Sequence, residues 1–322
     1  MTSEIRTLAD DELITEPGFY QISLERHHGQ PCDGPSVTSG VLRKMETGFP
    51  AEVWAFHKLN PDRIEDTDTA AKRMGRAMAA YIEGGADEIE RHFMVLPDNR
   101  PQRPTRQQLE AIKEGRGSRT AHRSVAFWRE VDTDPRDQIT EAQFQTIQDM
   151  GIALVKDPAA TAALGGIPEI TMAWQDEATG LWCLARPDNL SFSGILSDYK
   201  KISSSGWVFN ERLCDRAIDK YRYDMQMGFA SEGFERLIGS APNAVGLVFQ
   251  SDEKPHFCIL REIPEEDLAF GRFHNHRSLV RFAECLKSGH WPEPGENIGP
   301  YRRSDSDRER ILNEMNTEGV AP

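Results

Sequence analysis

The residues most suited to chemistry lie between Glu169 and Gln226. Arg186-Pro187-Asp188 is followed, one turn of chain later, by Asp198-Tyr199-Lys200, with Glu169 upstream. Residues two apart on a strand share a face, so Asp198 and Lys200 project side by side while Tyr199 turns away. A strand ending at Asp188 and lying beside theirs would bring a second carboxylate to the same spot. Carboxylates that share a site repel one another and suit a hard divalent cation, magnesium first and manganese as an alternative. Such an ion polarises phosphate and lowers the pKa of bound water. The Lys200 ammonium would hold the attacking water or the charge that develops on the phosphoryl group. The reaction is hydrolysis of a phosphodiester, with Asp188 and Asp198 as metal ligands. Lys200→Ala is then expected to abolish cleavage and spare folding. A plainer reading of the same spacing is a salt bridge from Asp188 or Asp198 to Lys200 or Arg186, which contributes little. Glu169 stays open between a metal-shell carboxylate and the start of a strand.

Strands are predicted at 169–174 and 181–185, with turn residues 176–180 closing them into a hairpin. The chain turns again at 189–193, makes a third strand at 194–200, and stops at Ser203-Ser204-Ser205-Gly206. Upstream, helices are expected over 35–59, with Ser36 or Thr38 as cap, over 69–82, and from Thr140 to about Lys156. Downstream, Leu213, Ala217, Tyr221, Met225 and Phe229 form one stripe, which predicts a single helix over 213–237. Strands at 244–249 and 256–260 and a closing helix at 268–287 follow. The expected organisation is one domain over 15–292, with an N-terminal helical and basic portion at 15–135 and a catalytic core at 136–292. Residues 293–322 read as a loose tail with at most a short helix.

At 322 residues, 38% apolar and 28% charged, the chain has length and composition for a substantial core. Residues 1–13 lack the apolar centre of a signal peptide, and no apolar run approaches the ~18 residues of a membrane span, so a cytoplasmic, non-membrane protein is expected. Cys32, Cys183, Cys214, Cys258 and Cys285 are scattered without a C-x-x-C pair, which favours free thiols over disulfides or a zinc site. A net charge of −14 counts against nucleic-acid binding. Locally the balance reverses: Arg103, Arg106, Lys113, Arg116, Arg119, His122, Arg123 and Arg129 crowd one stretch, with Trp128 among them. There a DNA backbone could be held; a solvated linker and helix is the alternative.

Over residues 165–226 the chain resembles the RecE-type exonucleases (exodeoxyribonuclease VIII) of the PD-(D/E)XK nuclease superfamily. The resemblance rests on Glu169, Trp174, Thr179-Gly180-Leu181, Arg186-Pro187-Asp188, Asp198-Tyr199-Lys200 and Tyr223-Asp224-Met225-Gln226, and less closely on Ser36, Ser39 and Pro104. It implies a restriction-endonuclease-like α/β core, a mixed sheet flanked by helices. It also implies Asp188, Asp198 and, less firmly, Glu169 as metal ligands, Lys200 as the catalytic lysine, and Gln226 as the residue that orients lysine, water or DNA. For Tyr221 and Tyr223 helix packing is the stronger expectation. The family commonly carries a histidine four residues after a helix glycine; here Gly75 is followed at that spacing by Ala79.

The resemblance further implies double-stranded DNA digested from an end, with Arg103, Arg106, Arg116, Arg119, Arg123 and Arg186 on the DNA, a RecT-like annealing protein as partner, and a ring-shaped homo-oligomer. Two other readings stand beside it. Ala79 favours a catalytically reduced relative that binds DNA ends or a recombination partner, and the net charge favours an acidic interaction protein without a nucleic-acid role.

Overall fold

A computed structural model describes residues 4–9, 11–203, 206–296 and 299–318. Ser204 and Ser205 of the predicted strand-ending cluster, and the last four residues of the tail, lie outside the described residues.

The chain opens with strands β1 (Ile5–Thr7) and β2 (Gly18–Gln21), helix α1 (Leu24–His28) and strand β3 (Ser36–Thr38). Helices α2 (Ser39–Thr47), α3 (Pro50–Phe56) and α4 (Ala70–His92) follow. The parallel strands β4 (Phe93–Leu96) and β5 (Asp137–Thr140) bracket the basic helices α5 (Arg106–Lys113) and α6 (Arg119–Thr133). Next come α7 (Glu141–Lys156), α8 (Pro158–Ala163), β6 (Ile167–Pro168), β7 (Thr171–Gln175), β8 (Trp182–Ala185), β9 (Asn189–Ser191) and β10 (Ile195–Ile202). The remainder is α9 (Glu211–Tyr221), α10 (Tyr223–Ile238), β11 (Ala244–Ser251), β12 (Cys258–Glu262), α11 (Glu265–Ser288) and α12 (Asp305–Glu318).

Two five-stranded mixed sheets form the centre, ordered β1-β2-β7-β8-β3 and β12-β11-β10-β9-β6. The predicted hairpin is β7 and β8, antiparallel with Trp174 opposite Cys183. From β8 the chain crosses to the other sheet through Arg186-Pro187-Asp188, so the motif is the crossing itself. The main core joins Leu42 and Met45 of α2, Trp174 of β7, Phe229 and Phe234 of α10, Phe249 of β11 and Phe282 of α11. A smaller core under α4 and α7 contains Met78, Ile89, Ile147 and Met150, with Tyr199 packed against it. Where α10 crosses α11, a Cβ on Gly271 would stand 2.2 Å from the Asp224 carbonyl oxygen. Only glycine permits that approach.

Several expectations need correction. Residues 35–59 form a strand and two helices, because Ser36–Thr38 adds to β8 in register before the helix starts, and Pro50 opens a second helix after Gly48. The helix at 69–82 runs on to His92, capped by Thr69, with non-helical backbone at Gly84 and Gly85. At α7, Thr140 and Gln143 form a reciprocal capping box. Asn189–Ser191 is a strand, and the turn comes just after it. The helix predicted over 213–237 is two helices, broken at Arg222 with φ 53°; the apolar stripe keeps its four-residue spacing through the break and so hides it, and the exposed Tyr221 marks where it fails. The portion 15–135 also supplies β2, β3 and β4, and the tail 293–322 carries α12. No helix among the described residues is long and apolar enough to cross a membrane.

Candidate active site

β9 and β10 run antiparallel with Asn189 opposite Ser197, which sets Asp188 beside the start of Asp198-Tyr199-Lys200. Asp188 Oδ2 accepts the Tyr199 backbone N–H at 2.7 Å, fixing one carboxylate against the neighbouring strand. As the alternation requires, Tyr199 leaves by the opposite face, where its hydroxyl donates to Gln250 Oε1 at 2.7 Å. Asp198 is 1% exposed, and Lys200 Nζ donates to its Oδ1 while Gln226 Nε2 donates to Oδ2 at 2.8 Å. The break at Arg222 starts α10 afresh, so that Tyr223 and Gln226 face the sheet. The Lys200 ammonium lies 4.7 Å from the Tyr223 ring centroid. Asp188, Asp198, Lys200 and Gln226 are thus brought together.

Burial, with the charges of Asp198 and Glu169, pushes the Asp188 carboxyl well above the usual range. For Lys200 burial acts downward, but Asp198, Asp188 and Tyr223 outweigh it and hold the ammonium above its ordinary value. The site therefore resists charging Asp188 beside Asp198 with one lysine between them. Gln226 Oε1 is buried without a partner. Crowded carboxylates and an orphaned amide oxygen form a hard-oxygen donor set, and magnesium, which keeps several waters, fits such a set. Among the described residues no three His, Cys, Asp or Glu side chains are close enough to form a metal cluster by themselves. Asp188 and Asp198 would hold the ion, with water and substrate oxygens completing its shell.

Glu169 sits between β6 and β7 with φ 58°, its N–H bonded to the Asp188 carbonyl. A non-glycine residue in that conformation is strained, and strain of this kind gathers at functional sites. Its carboxylate lies 2.6 Å from Arg186 Nε. The two form an ion pair in which both side chains are largely buried. Desolvation raises the Glu169 carboxyl above its usual value, opposed by Arg186 and reinforced by Asp198 and Glu83. Arg186, at 10% side-chain exposure, is spent on Glu169, so its expected place on the DNA is corrected to a buried ion pair.

The basic stretch divides. Arg103 pairs with Asp132 and covers Trp128, Arg106 pairs with Glu110, and Arg116 with Glu114. Arg119 and Arg123 are exposed, and among the described residues neither has an ion pair.

Two residues escaped the sequence reading. Glu83, one turn beyond Ala79 on α4, lines a cavity of about 180 Å³ with Ala79, Glu169 and Asp188. Arg43 of α2 lies behind Tyr223. Its signal was a charge between the buried Leu42 and Met45, at the border of an apolar face.

The chain also resembles known proteins. Residues 42–304, more than half of the chain, match the family described as "PDDEXK-like domain of unknown function (DUF3799)". No curated protein matches it. A crystal structure of a "Putative exonuclease" from Eubacterium rectale superposes with a TM-score of 0.58 at 14% identity, covering 89% of this chain and 98% of that one. At that identity the likeness is one of fold, which agrees with the mixed sheets and flanking helices. The chain therefore belongs to the PDDEXK-like domain family and has the PD-(D/E)XK fold.

Proposed function

We propose that the protein is a metal-dependent exodeoxyribonuclease that hydrolyses double-stranded DNA from an end, in the manner of the RecE-type enzymes it resembles. The observation that carries this reading is the convergence of Asp188, Asp198, Lys200 and Gln226 from the β8–β9 crossing, β10 and α10 on one carboxylate-rich point. A salt bridge needs one carboxylate; this cluster has two, plus a strained Glu169 nearby. Bound magnesium or manganese would supply Lewis acidity and an activated water. Asp188 and Asp198 bind the ion, Gln226 orients Asp198, and the Lys200 ammonium offsets negative charge on the phosphate under attack. The name of the fold neighbour supports a nuclease. Exposed Arg119 and Arg123 are the candidates for the DNA backbone. A role in phage-type recombination beside a RecT-like annealing protein, in a ring-shaped oligomer, belongs to the same proposal.

The test is digestion of linear and covalently closed double-stranded DNA with magnesium, manganese or EDTA. Metal-dependent loss of linear DNA alone supports the reading. A folded protein that cleaves nothing with either metal sinks it and favours the second reading, a reduced relative that binds DNA ends. Ala79 and the absence of a three-ligand cluster among the described residues are the observations on that side.

A further inference from the structure

Arg43 comes from the N-terminal part of the chain and has no counterpart in the motif around Lys200, yet it ends in the same place. Its Nη1 donates to the Tyr221 carbonyl at 3.0 Å, and its guanidinium carbon lies 5.9 Å from the Tyr223 ring centroid. Tyr221 is the last residue of α9, so this carbonyl belongs to the helix end left free by the break at Arg222. The Tyr223 ring has Lys200 Nζ at 4.7 Å and Phe249 at 6.3 Å between centroids. Phe249 is the β11 partner of Lys200 in the parallel ladder. The ring is therefore enclosed by an arginine, a lysine and a phenylalanine from three different elements.

Arg43 is held there at a cost. Burial lowers its pKa, and its Nε is buried without an acceptor. An orphaned donor is expensive, and one carbonyl bond is a small return. What the arrangement achieves is to fix both sides of the α9–α10 break, and with it the Tyr223 ring against which the lysine rests. Cation–π contacts with a desolvated ring are strong enough to select a lysine rotamer.

We propose that Arg43 is a positioning residue for Lys200, acting through the Tyr223 ring: it clamps the α9–α10 junction so that the ring holds the ammonium in line with Asp198. It touches neither metal nor scissile phosphate. The kinetic consequence rests on the nuclease reading; the positioning of Lys200 does not.

The experiment therefore has two arms on the full-length protein, with Arg43→Met, Arg43→Lys, Tyr223→Leu and the Arg43→Met/Tyr223→Leu pair. In the first, lysines are acetylated with a small amine-selective reagent, and the rate at Lys200 is read by peptide mass spectrometry against other lysines. Arg43→Met and Tyr223→Leu should each label Lys200 about fivefold faster or more, and Arg43→Lys should stay near wild type, because either cation can stack on the ring. Unchanged Lys200 labelling in Arg43→Met overturns the proposal whether or not the protein is a nuclease. In the second, Arg43→Met should lower kcat on linear DNA about tenfold with KM unchanged, and the double variant should be no slower than Tyr223→Leu within about twofold. A raised KM with intact kcat would make Arg43 a DNA contact, and multiplying losses would make it independent of Tyr223; either result overturns the proposal. Rates are scaled to the folded fraction from thermal unfolding, and loss explained wholly by unfolding counts against it too. A wild-type protein that cleaves nothing refutes the nuclease reading and leaves the labelling arm decisive.

Discussion

Gln226 Nε2 donates to Asp198 Oδ2 across 2.8 Å, and that bond ties helix α10 to strand β10 beside Asp188 and Lys200. Lys200 takes the other oxygen of the same carboxylate. A buried aspartate that is shared between an amide and an ammonium has its geometry set by both, so each partner is expected to matter differently.

Lys200→Ala should abolish cleavage, by about a thousandfold or more, because in the proposed mechanism the phosphoryl oxygens lose the cation that offsets their developing charge. Contrary to the expectation from spacing alone, it should also destabilise the metal-free protein. Lys200 is 19% exposed and Asp198 2% by side chain, so removal leaves a buried charge uncompensated, a cost on the order of 3 kcal/mol. Gln226→Ala should lower kcat with a smaller stability loss. Thermal unfolding in EDTA decides: a Lys200→Ala midpoint equal to wild type would mean that the ion pair carries no weight.

Asp188 should link stability to pH and, through the proposed site, to metal. Its folded-state carboxyl is raised well above the ordinary value of 3.8, mainly by burial and by Asp198, so the folded chain binds this proton more tightly than the unfolded one. Stability from this group is therefore full below the ordinary value and declines as pH rises through the raised one. Above that window the cost is complete, and a bound cation should relieve it. Magnesium or manganese at a hundred times Kd should stabilise the protein by about 2.7 kcal/mol near pH 8, and by less as pH falls into the window. Asp188→Asn should be more stable than wild type in EDTA and lose the metal response. Full manganese stabilisation in that variant would place the ion elsewhere.

Ala79 leaves room where the resembling family has a ligand. The cavity it lines with Glu83, Glu169 and Asp188 measures about 180 Å³ and already carries three carboxylates at its wall. Ala79→His should place an imidazole there and tighten manganese binding about tenfold by calorimetry, the scale on which ligand-shell changes act. Unchanged affinity would show that α4 does not face the ion.

What the sequence disclosed and what it hid follow from the range of the forces. Alternation placed Asp198, Tyr199 and Lys200 correctly, and the β7–β8 hairpin followed from its turn residues, because both depend on neighbours in the chain. The kink at Arg222 was invisible, since a left-handed arginine is stabilised by Asp224 and by Arg43 from far away. Arg186 looked free for DNA, and only the fold reveals Glu169 beside it. The split of the basic stretch depends on which acids face which arginines, something that a count of charges averages out.

Gly271→Ala should damage the site from a distance. The new Cβ would meet the Asp224 carbonyl oxygen and carbon at 2.2 and 2.6 Å, both backbone atoms, so α10 must move away from α11. Overpacking of this kind costs about 1–3 kcal/mol. Because α10 carries Gln226, cleavage should fall beyond what the folded fraction explains. Gly75→Ala is the control: nothing lies within 4 Å of its added Cβ, and alanine favours the helix. Equal kcat per folded molecule in Gly271→Ala would uncouple the helix crossing from the site.

The basic helices make a separable prediction about DNA. Arg119 and Arg123 are exposed on α6, and Arg119 stands in the first turn, where the helix dipole disfavours a cation. Replacing both by alanine should leave stability unchanged or slightly raised, so any loss of binding is not a folding effect. If each meets a phosphate, the slope of log affinity against log salt should fall by about 2, with weaker binding at low salt. Arg106→Ala is the comparison, since its charge is already opposed by Glu110 and its removal should change the slope less. Measured by fluorescence anisotropy with a duplex and calcium in place of magnesium, an unchanged slope in the double variant would move the DNA path off α6. The net charge of −14 would then weigh more heavily.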